Sequence, residues 1–411
     1  MSDAAAKPKL VVIGNGMAGM HTVEHLLDAA PDLYDITVFG SEPLGNYNRM
    51  LLSPVLAGET RLADIMINNR EWYGERNITL HSGKAVTTID RVNRRVLASD
   101  GTSEAYDRLL VATGSSPILL PLPGKNLAGV ITFRDMSDVD AMLEASAKYR
   151  NAVVIGGGLL GLEAANGLIK RGMRVTVVHL MDSLMERQLD PRAALLLKGT
   201  LEARGMAFKM PAQTAALLGG DRVTAVRFAD GEEIAADLVV IAVGIRPNIE
   251  LAKKAGLHCQ RGIVVSDTMQ SYDGRIYAVG ECAEHRRQTY GLVAPLYDQA
   301  RVCANHLAGL GRWRYQGSAL STKLKVSGID VFSAGIFGHE AEHDEIVMED
   351  TGRGIYKRIV LRGDKIVGAV LYGDTRDGAW YFDALRDGAD VSAYRDNLAF
   401  GKASLASAMA P

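Results

Sequence analysis

The sequence predicts an α/β fold that is built from two similar halves and followed by a smaller α+β region. The first observation is a repeated pattern of strand, glycine-rich turn and helix, which reads VVIGNGMAGM at Val11–Met20 and VVIGGGLLGLEAA at Val153–Ala165. The second is that each copy is followed by segments that alternate apolar and polar residues, as antiparallel strands do. The third is a change, from about Tyr315, to short alternating strands separated by Gly and Asp turns.

Composition and charge limit the classes of protein to consider. The chain has 411 residues, of which 47% are hydrophobic and 23% are charged, and its net charge is −2. These values are typical of a folded protein of two or three domains, and they provide no strong field for nucleic acid or an anionic membrane. We find neither a long apolar run typical of a membrane span nor the apolar core of a signal peptide. We therefore expect a cytoplasmic protein with no nucleic-acid or membrane partner.

The cysteines argue against several kinds of redox and metal site. Cys259, Cys282 and Cys303 stand far apart, with no C-x-x-C pair and no zinc-like grouping with histidines. This usage favours a reducing compartment and disfavours a redox disulfide or a cysteine-ligated iron–sulfur cluster. We expect no metal site.

The first glycine turn has the features of a dinucleotide-binding motif. Strand LVVI leads into GNGMAG, a helix to about Ala30 and a second strand DITVF. Gly14 allows a tight turn, Gly16 lets a diphosphate approach the backbone, and Gly19 lets the helix pack closely on the strand. The N–H groups at the helix start would point at the phosphates.

The second turn repeats this arrangement with Gly156, Gly158 and Gly161 before a helix to about Arg171. A single G-x-G-x-x-G turn could simply close a strand onto a helix. Two copies, each with its helix and second strand in order, favour two Rossmann-like dinucleotide-binding domains.

The segments between and after the two turns suggest domain boundaries. Both halves contain an Asp-Gly hairpin signal and a strand that runs into a glycine, Gly114 or Gly244. Proline-rich SSPILLPLPGKN marks a crossing between domains, and Pro247 marks the return. We expect a flexible tail over residues 1–8, a first domain over 9–117 and 247–312, a second over 118–246, and a C-terminal α+β domain over 313–411 that ends with a helix near Ala379–Leu385. The last domain would serve packing, dimerisation or partner docking, and a homodimer is one option for the chain.

Several motifs resemble those of the FAD- and NAD(P)-dependent pyridine nucleotide reductases, which share the glutathione-reductase-like fold. They are the two glycine turns, ATG at Ala112–Gly114, GIRPN at Gly244–Asn248 and IYAVGE at Ile276–Glu281. More narrowly, four longer segments look like the N-terminal flavoprotein half of the large subunit of assimilatory NADH-nitrite reductase and like electron-transfer flavoproteins of nitrate assimilation. These are NYNRMLLSPVLAGE (Asn46–Glu59), VVHLMDSLMERQLD (Val177–Asp190), VGECAEHRRQTYGLVAPLYDQA (Val279–Ala300) and STKLKVSGIDVFSAG (Ser321–Gly335). Rubredoxin and ferredoxin reductases share this similarity.

The resemblance implies FAD on the first turn and NAD(P)H, with NADH favoured, on the second. Glu42, just beyond the second strand, would accept from the hydroxyl groups of the FAD adenosine ribose, although a surface glutamate is the alternative. The family places the following loop near the flavin, so Arg49 would lie beside the ring and raise its potential. The loop departs from the oxygenase-linked ferredoxin reductases, because Pro54 stands where they have a lysine.

Further site residues follow from the same resemblance. Ala112, Thr113 and Gly114 would lie at the FAD site, as would Gly280, Glu281 and the start of a helix near Pro295 and Leu296. Gly244, which ends the corresponding strand of the second half, is likewise expected to bind a cofactor. Glu163 matches the position at which these reductases hold the nicotinamide end, with a simple helix-start carboxylate as the alternative. Cys282 is expected to be a small buried residue.

Two features leave partner choice open. His179 ends the second strand of the second module, where an acid selects NADH and an arginine NADPH; a neutral imidazole could accept from a ribose hydroxyl and a protonated one could face a phosphate. The basic runs His285, Arg286, Arg287 and Arg312–Arg314 are either a docking patch or ordinary solvated surface.

The resemblance implies an enzyme that passes electrons from NADH through FAD to a separate protein, because the chain stops at Pro411 without the cysteine-rich and sirohaem modules of nitrite reductase. The acceptor would be a component of nitrate or nitrite reduction, or an iron–sulfur carrier such as ferredoxin or rubredoxin. The alternatives are a rubredoxin or ferredoxin reductase of another pathway and a redox-responsive flavoprotein without turnover. A disulfide reductase needs a cysteine pair and an NADH oxidase or peroxidase needs a cysteine on the Asn46–Pro54 loop, and the sequence has neither.

Overall fold

The computed structural model describes residues 6–326, 329–337 and 342–402. Residues 1–5 of the expected N-terminal tail and residues 403–411 of the expected C-terminal domain lie outside the described residues. The described residues form two compact units. Of the described residues, unit 1 contains those up to Leu51 together with Thr60–Ser116 and Ile245–Ser318, and unit 2 contains Leu52–Glu59, Pro117–Gly244 and those from Ala319 onwards.

The helices follow the sequence pattern closely. In the described residues they are α1 (Met17–Ala29), α2 (Leu52–Ala57), α3 (Arg70–Glu75), α4 (Met136–Lys148), α5 (Leu159–Lys170), α6 (Pro191–Ala203), α7 (Glu250–Lys254), α8 (Val293–Leu307) and α9 (Gly378–Asp387). Short 3₁₀ segments span Arg49–Leu51, Leu62–Ile65 and Ser392–Phe400. The two helices after the glycine turns, α1 and α5, each end one residue before the expected position.

The strands of the first half are β1 (Lys9–Ile13), β2 (Asp35–Gly40), β3 (Asn46–Tyr47), β4 (Met66–Asn68), β5 (Thr79–Ser82), β6 (Val86–Asp90), β7 (Arg95–Ala98), β8 (Ser103–Ala105), β9 (Arg108–Val111) and β10 (Ser115–Pro117). Those of the second half are β11 (Val130–Thr132), β12 (Asn151–Ile155), β13 (Arg174–Val178), β14 (Ala207–Lys209), β15 (Thr214–Gly219), β16 (Val223–Phe228), β17 (Glu233–Ala235), β18 (Leu238–Ile241) and β19 (Ile245–Pro247). The remaining strands are β20 (Ile263–Val265), β21 (Ile276–Ala278), β22 (Ala283–His285), β23 (Ser321–Val326), β24 (Ile329–Gly335), β25 (Asp344–Asp350), β26 (Ile355–Arg362) and β27 (Lys365–Tyr372).

Unit 1 is built on a five-stranded parallel sheet in the order β21-β9-β1-β2-β5. The central strand β1 is apolar on both faces, and Leu10, Val11 and Val12 are each at most 1% exposed. Such continuous apolar strands are typical of parallel sheets that are covered on both sides. The antiparallel strands β6, β7 and β8 form a separate three-stranded sheet.

Unit 2 contains a second parallel sheet, in the order β11-β18-β12-β13-β14, and a three-stranded antiparallel sheet of β15, β16 and β17. The central strands β1 and β12 occupy the same place in their sheets, so the internal repeat that the sequence predicts is confirmed. The C-terminal region forms a five-stranded antiparallel sheet, β23-β24-β27-β26-β25, and α9 packs on β27. The predicted α/β fold with a C-terminal α+β region is therefore confirmed.

A short segment of the first half packs with unit 2. Helix α2 lies against α5, where a Cβ added at Gly167 would come within 2.7 Å of the Leu56 side chain. The guanidinium of Arg171 donates to the carbonyl oxygens of Leu56 at 2.5 Å and Val55 at 3.2 Å. Leu52–Glu59 thus packs with unit 2, although the sequence placed it inside the first domain. The division into three domains stays a prediction.

Within unit 2, a buried carboxylate joins α6 to the C-terminal sheet. Asp190 caps the start of α6, and its Oδ1 accepts from the backbone N–H of Arg192 at 3.0 Å and of Ala193 at 3.3 Å. The same oxygen accepts from the Tyr356 hydroxyl at 3.1 Å. Burial raises the pKa of Tyr356, so this hydroxyl remains a donor at neutral pH.

Replacing Asp190 with alanine should lower the free energy of unfolding by about 2–4 kcal/mol. The loss combines an N-cap, worth about 0.5–2 kcal/mol, with a buried hydroxyl left without its acceptor, worth about 1–3 kcal/mol. Urea unfolding followed by circular dichroism measures it. Tyr356→Phe is the matched control because it keeps the cap, and equal destabilisation by the two variants would contradict the role of the cap.

Candidate functional site

The first glycine turn is closed at two positions and open at the third. A Cβ added at Gly14, where φ is +116°, would lie 2.1 Å from the carbonyl oxygen of Ala112. A Cβ at Gly19 would lie 2.6 Å from the carbonyl oxygen of Gly14. At Gly16, by contrast, an added Cβ meets no described atom within 4 Å. The turn therefore requires glycine for its own packing at both ends and leaves an accessible backbone in the middle.

The second glycine turn has the same geometry. A Cβ at Gly156 would lie 2.2 Å from the carbonyl oxygen of Ala242, and a Cβ at Gly161 would lie 2.0 Å from that of Gly156. Gly158 again faces space, since its Cβ would have no described atom within 4 Å. The steric surroundings agree with the tight-turn and packing roles of the outer glycines in both copies, and the approach of a diphosphate to Gly16 and Gly158 stays a prediction.

The helices after these turns begin without a side-chain cap. Gly16 and Gly158 are the N-cap residues of α1 and α5, and neither helix has an acidic residue in its first turn. Three other helices of the described chain, α3, α4 and α6, begin at side chains that accept from the first turn, namely Asn69, Asp135 and Asp190, whereas α7, α8 and α9 also begin without such a cap. The free N–H groups and the positive end of the helix dipole fit a diphosphate at both starts, so the residues present fit FAD and NAD(P)H.

The ATG segment lies beside the first turn. The backbone N–H of Ala112 donates to Ile13 at 2.8 Å, which continues the pairing of β9 with β1. The Thr113 hydroxyl donates to the carbonyl oxygen of Asn248 at 2.8 Å, and the Asn248 N–H donates to that of Gly114 at 2.9 Å. These bonds join two motifs that are far apart in the sequence.

The segment after β21 also reaches the first turn. Gly280 has φ +88°, and a Cβ there would lie 3.0 Å from the Cβ of Ala18 in α1. The Gly280 N–H donates to Oε1 of Gln299 at 2.8 Å, and Glu281 accepts from the Ser115 hydroxyl at 2.8 Å. Gly280 and Glu281 therefore lie near Gly14–Gly19, as the resemblance implied, and their contact with FAD stays a prediction.

Helix α8 packs against α1 in the core of unit 1. It begins at Val293, two residues before the expected start at Pro295, and it has no side-chain cap among the described residues. Leu296 is buried in its first turns. Its expected place at the FAD site stays a prediction.

Glu42 forms a cluster with two residues of the loop that follows it. The carboxylate accepts from the Tyr47 hydroxyl at 2.6 Å and forms an ion pair with Arg49, whose guanidinium also lies 5.1 Å from the centre of the Tyr47 ring. The structure thus places Arg49 at the acid expected to hold the adenosine ribose. The expectation that Arg49 lies beside the flavin ring stays a prediction.

Glu163 lies in α5 and accepts a hydrogen bond from the hydroxyl of Ser53 at 2.8 Å. Ser53 is 7% exposed and directly precedes Pro54, the position of the lysine in oxygenase-linked ferredoxin reductases. In the second module Gly244 follows β18 with φ +120°, and a Cβ there would lie 3.5 Å from Ile118. The roles of Glu163 and Gly244 in nucleotide binding stay predictions.

His179 uses both ring nitrogens within the protein. Its Nδ1 accepts from the backbone N–H of Gly157 at 3.1 Å, and its Nε2 lies 3.1 Å from Oε2 of Glu186. Both alternatives considered from the sequence required one of these nitrogens for the nucleotide. The structure brings an acid to His179 that the sequence pattern alone does not identify.

The three cysteines are free thiols. Cys282 is fully buried and its thiol donates to the carbonyl oxygen of Val279 at 3.3 Å, so its interpretation as a small buried residue is confirmed. Burial raises the pKa of Cys259, Cys282 and Cys303, which keeps these thiols protonated.

The two basic runs adjoin each other, but His285 does not belong to an exposed patch. It is 2% exposed and lies with Nε2 2.7 Å from Asp267, so its inclusion in a surface cluster was wrong. Arg286 also pairs with Asp267, at 2.8 Å, and together these partners lower the pKa of Asp267. The backbone N–H of Tyr315 donates to the backbone carbonyl oxygen of Asp267 at 2.8 Å, so the second run, Arg312–Arg314, ends one residue before a contact with this cluster.

Several contacts of the site had no clear signal in the sequence. Asn15, inside the first turn, accepts from the buried Tyr73 hydroxyl at 2.6 Å, and its backbone carbonyl accepts from Asn46 at 3.1 Å. Gln299 was inside a quoted motif but carried no role. Such long-range partners become visible only when the elements are assembled.

The described residues contain neither a membrane-spanning helix nor a cluster of metal-ligating side chains. None of the helices is long and apolar enough to cross a bilayer. No three side chains of His, Cys, Asp or Glu come together in the described chain as a metal site would require.

Comparison with known proteins shows the family. Residues 8–302 match the family Pyridine nucleotide-disulphide oxidoreductase, and residues 321–389 match the Rubredoxin NAD+ reductase C-terminal domain. The chain is 52% identical to Nitrite reductase [NAD(P)H] of Bacillus subtilis over 94% of its length and 48% of that protein's. It is 45% identical to the Assimilatory nitrate reductase electron transfer subunit of the same organism, over 94% of this chain and 50% of that one.

The chain therefore spans about half the length of these two relatives. Among solved structures, a chain in the covalent putidaredoxin reductase–putidaredoxin complex is 27% identical and superimposes with a TM-score of 0.85, over 99% of this chain and 100% of that one. The two glycine turns, the α/β fold and these similarities all indicate the same family. The chain belongs to the pyridine nucleotide-disulphide oxidoreductase family and is an oxidoreductase that depends on FAD and NAD(P)H.

Proposed function

We propose that this chain transfers electrons from NADH, through FAD, to a separate protein of nitrate or nitrite assimilation. The observation that carries the proposal is the pair of uncapped helix starts at Gly16 and Gly158, each open to a diphosphate. The likeness to the Assimilatory nitrate reductase electron transfer subunit supports the choice of pathway.

The residues of the chain supply binding and orientation in this proposal. We assign the FAD diphosphate to the N–H groups at the start of α1, and the ribose hydroxyls to Glu42, whose carboxylate is held by Tyr47 and Arg49. Glu163, held by Ser53, would orient the nicotinamide end of the donor. When bound, FAD supplies the conversion between a two-electron donor and one-electron acceptors. Catalysis by the protein is then mainly a matter of position.

The cysteines support an acceptor outside this chain. Because Cys259, Cys282 and Cys303 are protonated, unpaired thiols, none of them offers the thiolate that disulfide reduction requires. Unpaired thiols also agree with the reducing, cytoplasmic compartment that we propose.

A second candidate is rubredoxin reduction, which the match of residues 321–389 to the Rubredoxin NAD+ reductase C-terminal domain favours. Stopped-flow spectroscopy without oxygen distinguishes the two. NADH should bleach the flavin within milliseconds, and mixing the reduced protein with a nitrate- or nitrite-reductase component should restore the yellow colour faster than rubredoxin does. Faster recovery with rubredoxin would favour the second candidate, and no recovery with any protein acceptor would contradict both.

The exposed residues Arg287 and Arg312, one from each basic run, are our candidate for acceptor docking. We expect Arg287→Glu combined with Arg312→Glu to slow acceptor reduction about tenfold at low salt, because opposite charges steer association. Flavin reduction by NADH should keep its rate. Arg286 is left in place because it pairs with Asp267.

Arg94→Glu combined with Arg95→Glu, two exposed reversals at the start of β7 that change the net charge by the same amount, is the control. An equal loss of acceptor reduction in the control, or an equal slowing of NADH oxidation in the double variant, would remove the docking role.

A further inference from the structure

The loop after β13 folds back onto the second glycine turn. A Cβ added at Gly157 would lie 2.8 Å from the His179 ring and 2.8 Å from the Leu184 side chain, so only glycine fits beneath them. The backbone N–H of Met185 donates to the carbonyl oxygen of Gly157 at 3.1 Å. Residues 179–186 are therefore held on the turn that binds the nucleotide.

The hydrogen bond from Gly157 determines the tautomer of His179. A backbone N–H can only donate, so Nδ1 of His179 must be the unprotonated acceptor at 3.1 Å. The ring proton then lies on Nε2 and is donated to Oε2 of Glu186 at 3.1 Å. A doubly protonated ring would direct an N–H at the Gly157 N–H. His179 is therefore a neutral ring that neither accepts from a ribose nor faces a phosphate as a cation.

Glu186 has a carboxylate oxygen, unpaired within the described chain, that can accept from a ribose hydroxyl, which His179 cannot do. Its side chain is 34% exposed, and only Oε2 is engaged by His179, whereas Oε1 has no hydrogen-bond partner among the described residues. In a Rossmann module, a carboxylate near the end of the second strand accepts from the adenosine ribose hydroxyls. Here the strand ends before a histidine, and the carboxylate comes from seven residues further along the chain.

The charges around this pair disfavour a 2′-phosphate. Lys209, whose backbone carbonyl accepts from the His179 N–H, has its ammonium group 2.7 Å from Glu232 and 3.4 Å from Asp230. Asp182 adds a negative charge to the loop, and Arg187 is an exposed cation next to Glu186. Arg187 is thus the residue of this loop whose charge would favour a 2′-phosphate, and therefore NADPH.

We propose that Glu186, oriented by His179, binds the adenosine ribose of the donor and makes this protein prefer NADH over NADPH. The proposal rests on the use of a pyridine nucleotide at the second glycine turn and is independent of the acceptor. Glu186 is the specificity-determining residue and His179 is a positioning residue.

Binding of two nucleotide fragments tests the proposal without turnover. Calorimetry on the flavin-loaded protein would compare ADP-ribose with 2′-phospho-ADP-ribose. The wild type should bind ADP-ribose more tightly. Glu186→Gln should weaken ADP-ribose about tenfold or more, since it removes charge-assisted hydrogen bonds, and should strengthen 2′-phospho-ADP-ribose by removing a repulsive charge. His179→Phe should cause a smaller shift in the same direction. Flavin content should stay that of the wild type in both variants, and Glu186→Gln should also keep the wild-type melting temperature.

Arg187→Gln is the matched control because it changes the neighbouring charge in the same loop. It should leave ADP-ribose binding unchanged. An unchanged preference in Glu186→Gln, an equal loss of both ligands, or a larger effect of Arg187→Gln would overturn the proposal while leaving the proposed function intact. Failure of the wild type to bind either fragment would overturn both.

Discussion

Replacing Gly16 with valine is expected to give a folded protein that carries no FAD. The backbone of Gly16 is extended, with φ −91° and ψ 179°, which valine adopts without strain, and an added Cβ meets no described atom within 4 Å. The new side chain would fill the space through which a diphosphate reaches the N–H groups of α1. We expect the affinity for FAD to fall at least about 100-fold, equivalent to about 2.7 kcal/mol.

The measurement is the ratio of flavin to protein absorbance after purification, followed by titration with FAD. Circular dichroism and gel filtration show whether the variant is folded. Gly220→Val is the control, because Gly220 is exposed and its added Cβ would also meet no described atom within 4 Å. A Gly16→Val protein with wild-type flavin content would contradict the assignment of FAD to the first turn.

Replacing Gly158 with valine should separate the two cofactors. The backbone of Gly158 is likewise extended, with φ −82° and ψ 178°, and an added Cβ meets no described atom within 4 Å. The variant should be yellow, with normal FAD content, but NADH should reduce it at least about 100-fold more slowly at low concentration, because α5 no longer accepts the diphosphate of the donor. Stopped-flow absorbance of the flavin measures this rate.

Dithionite, which needs no nucleotide site, should still bleach the Gly158→Val protein at the wild-type rate. Loss of FAD from this variant together with retention of FAD in Gly16→Val would show that the two turns have been assigned in the wrong order. The pair of variants thus tests the order as well as the existence of the two sites.

The repeated part of the fold follows directly from local sequence. Strands such as β1 and β12 are continuous apolar runs that end at glycines, and the helices after them have the expected length because the turns fix where they begin. The C-terminal sheet was predictable for the same kind of reason, since its strands alternate and are separated by Gly and Asp turns. These features depend on neighbours in the chain.

The sequence predicts a site residue only where its role depends on the local backbone and not on a partner from a distant segment. Four of the six glycines in the turns, Gly14, Gly19, Gly156 and Gly161, have no room for a Cβ, whereas Gly16 and Gly158 face open space, and the G-x-G-x-x-G spacing predicts both groups. Arg49 differs, because its long side chain reaches Glu42 through a loop whose path the sequence does not specify. His285 was assigned to a charged surface from the adjacent arginines, whereas its partner Asp267 lies in another segment and draws it inside. Glu186 was passed over because the usual position for an acid is the strand end.

The helix starts that lack side-chain caps have a consequence for the fate of the protein in a cell. In our proposal the first N–H groups of α1 and α5 bind phosphates, so the folded chain would be completed by its ligands, and a ligand at 100 times its dissociation constant adds about 2.7 kcal/mol to folding. Molecules that lose flavin would unfold more often and be removed first by proteases. The amount of this reductase would then follow the riboflavin supply of the cell as well as the expression of its gene.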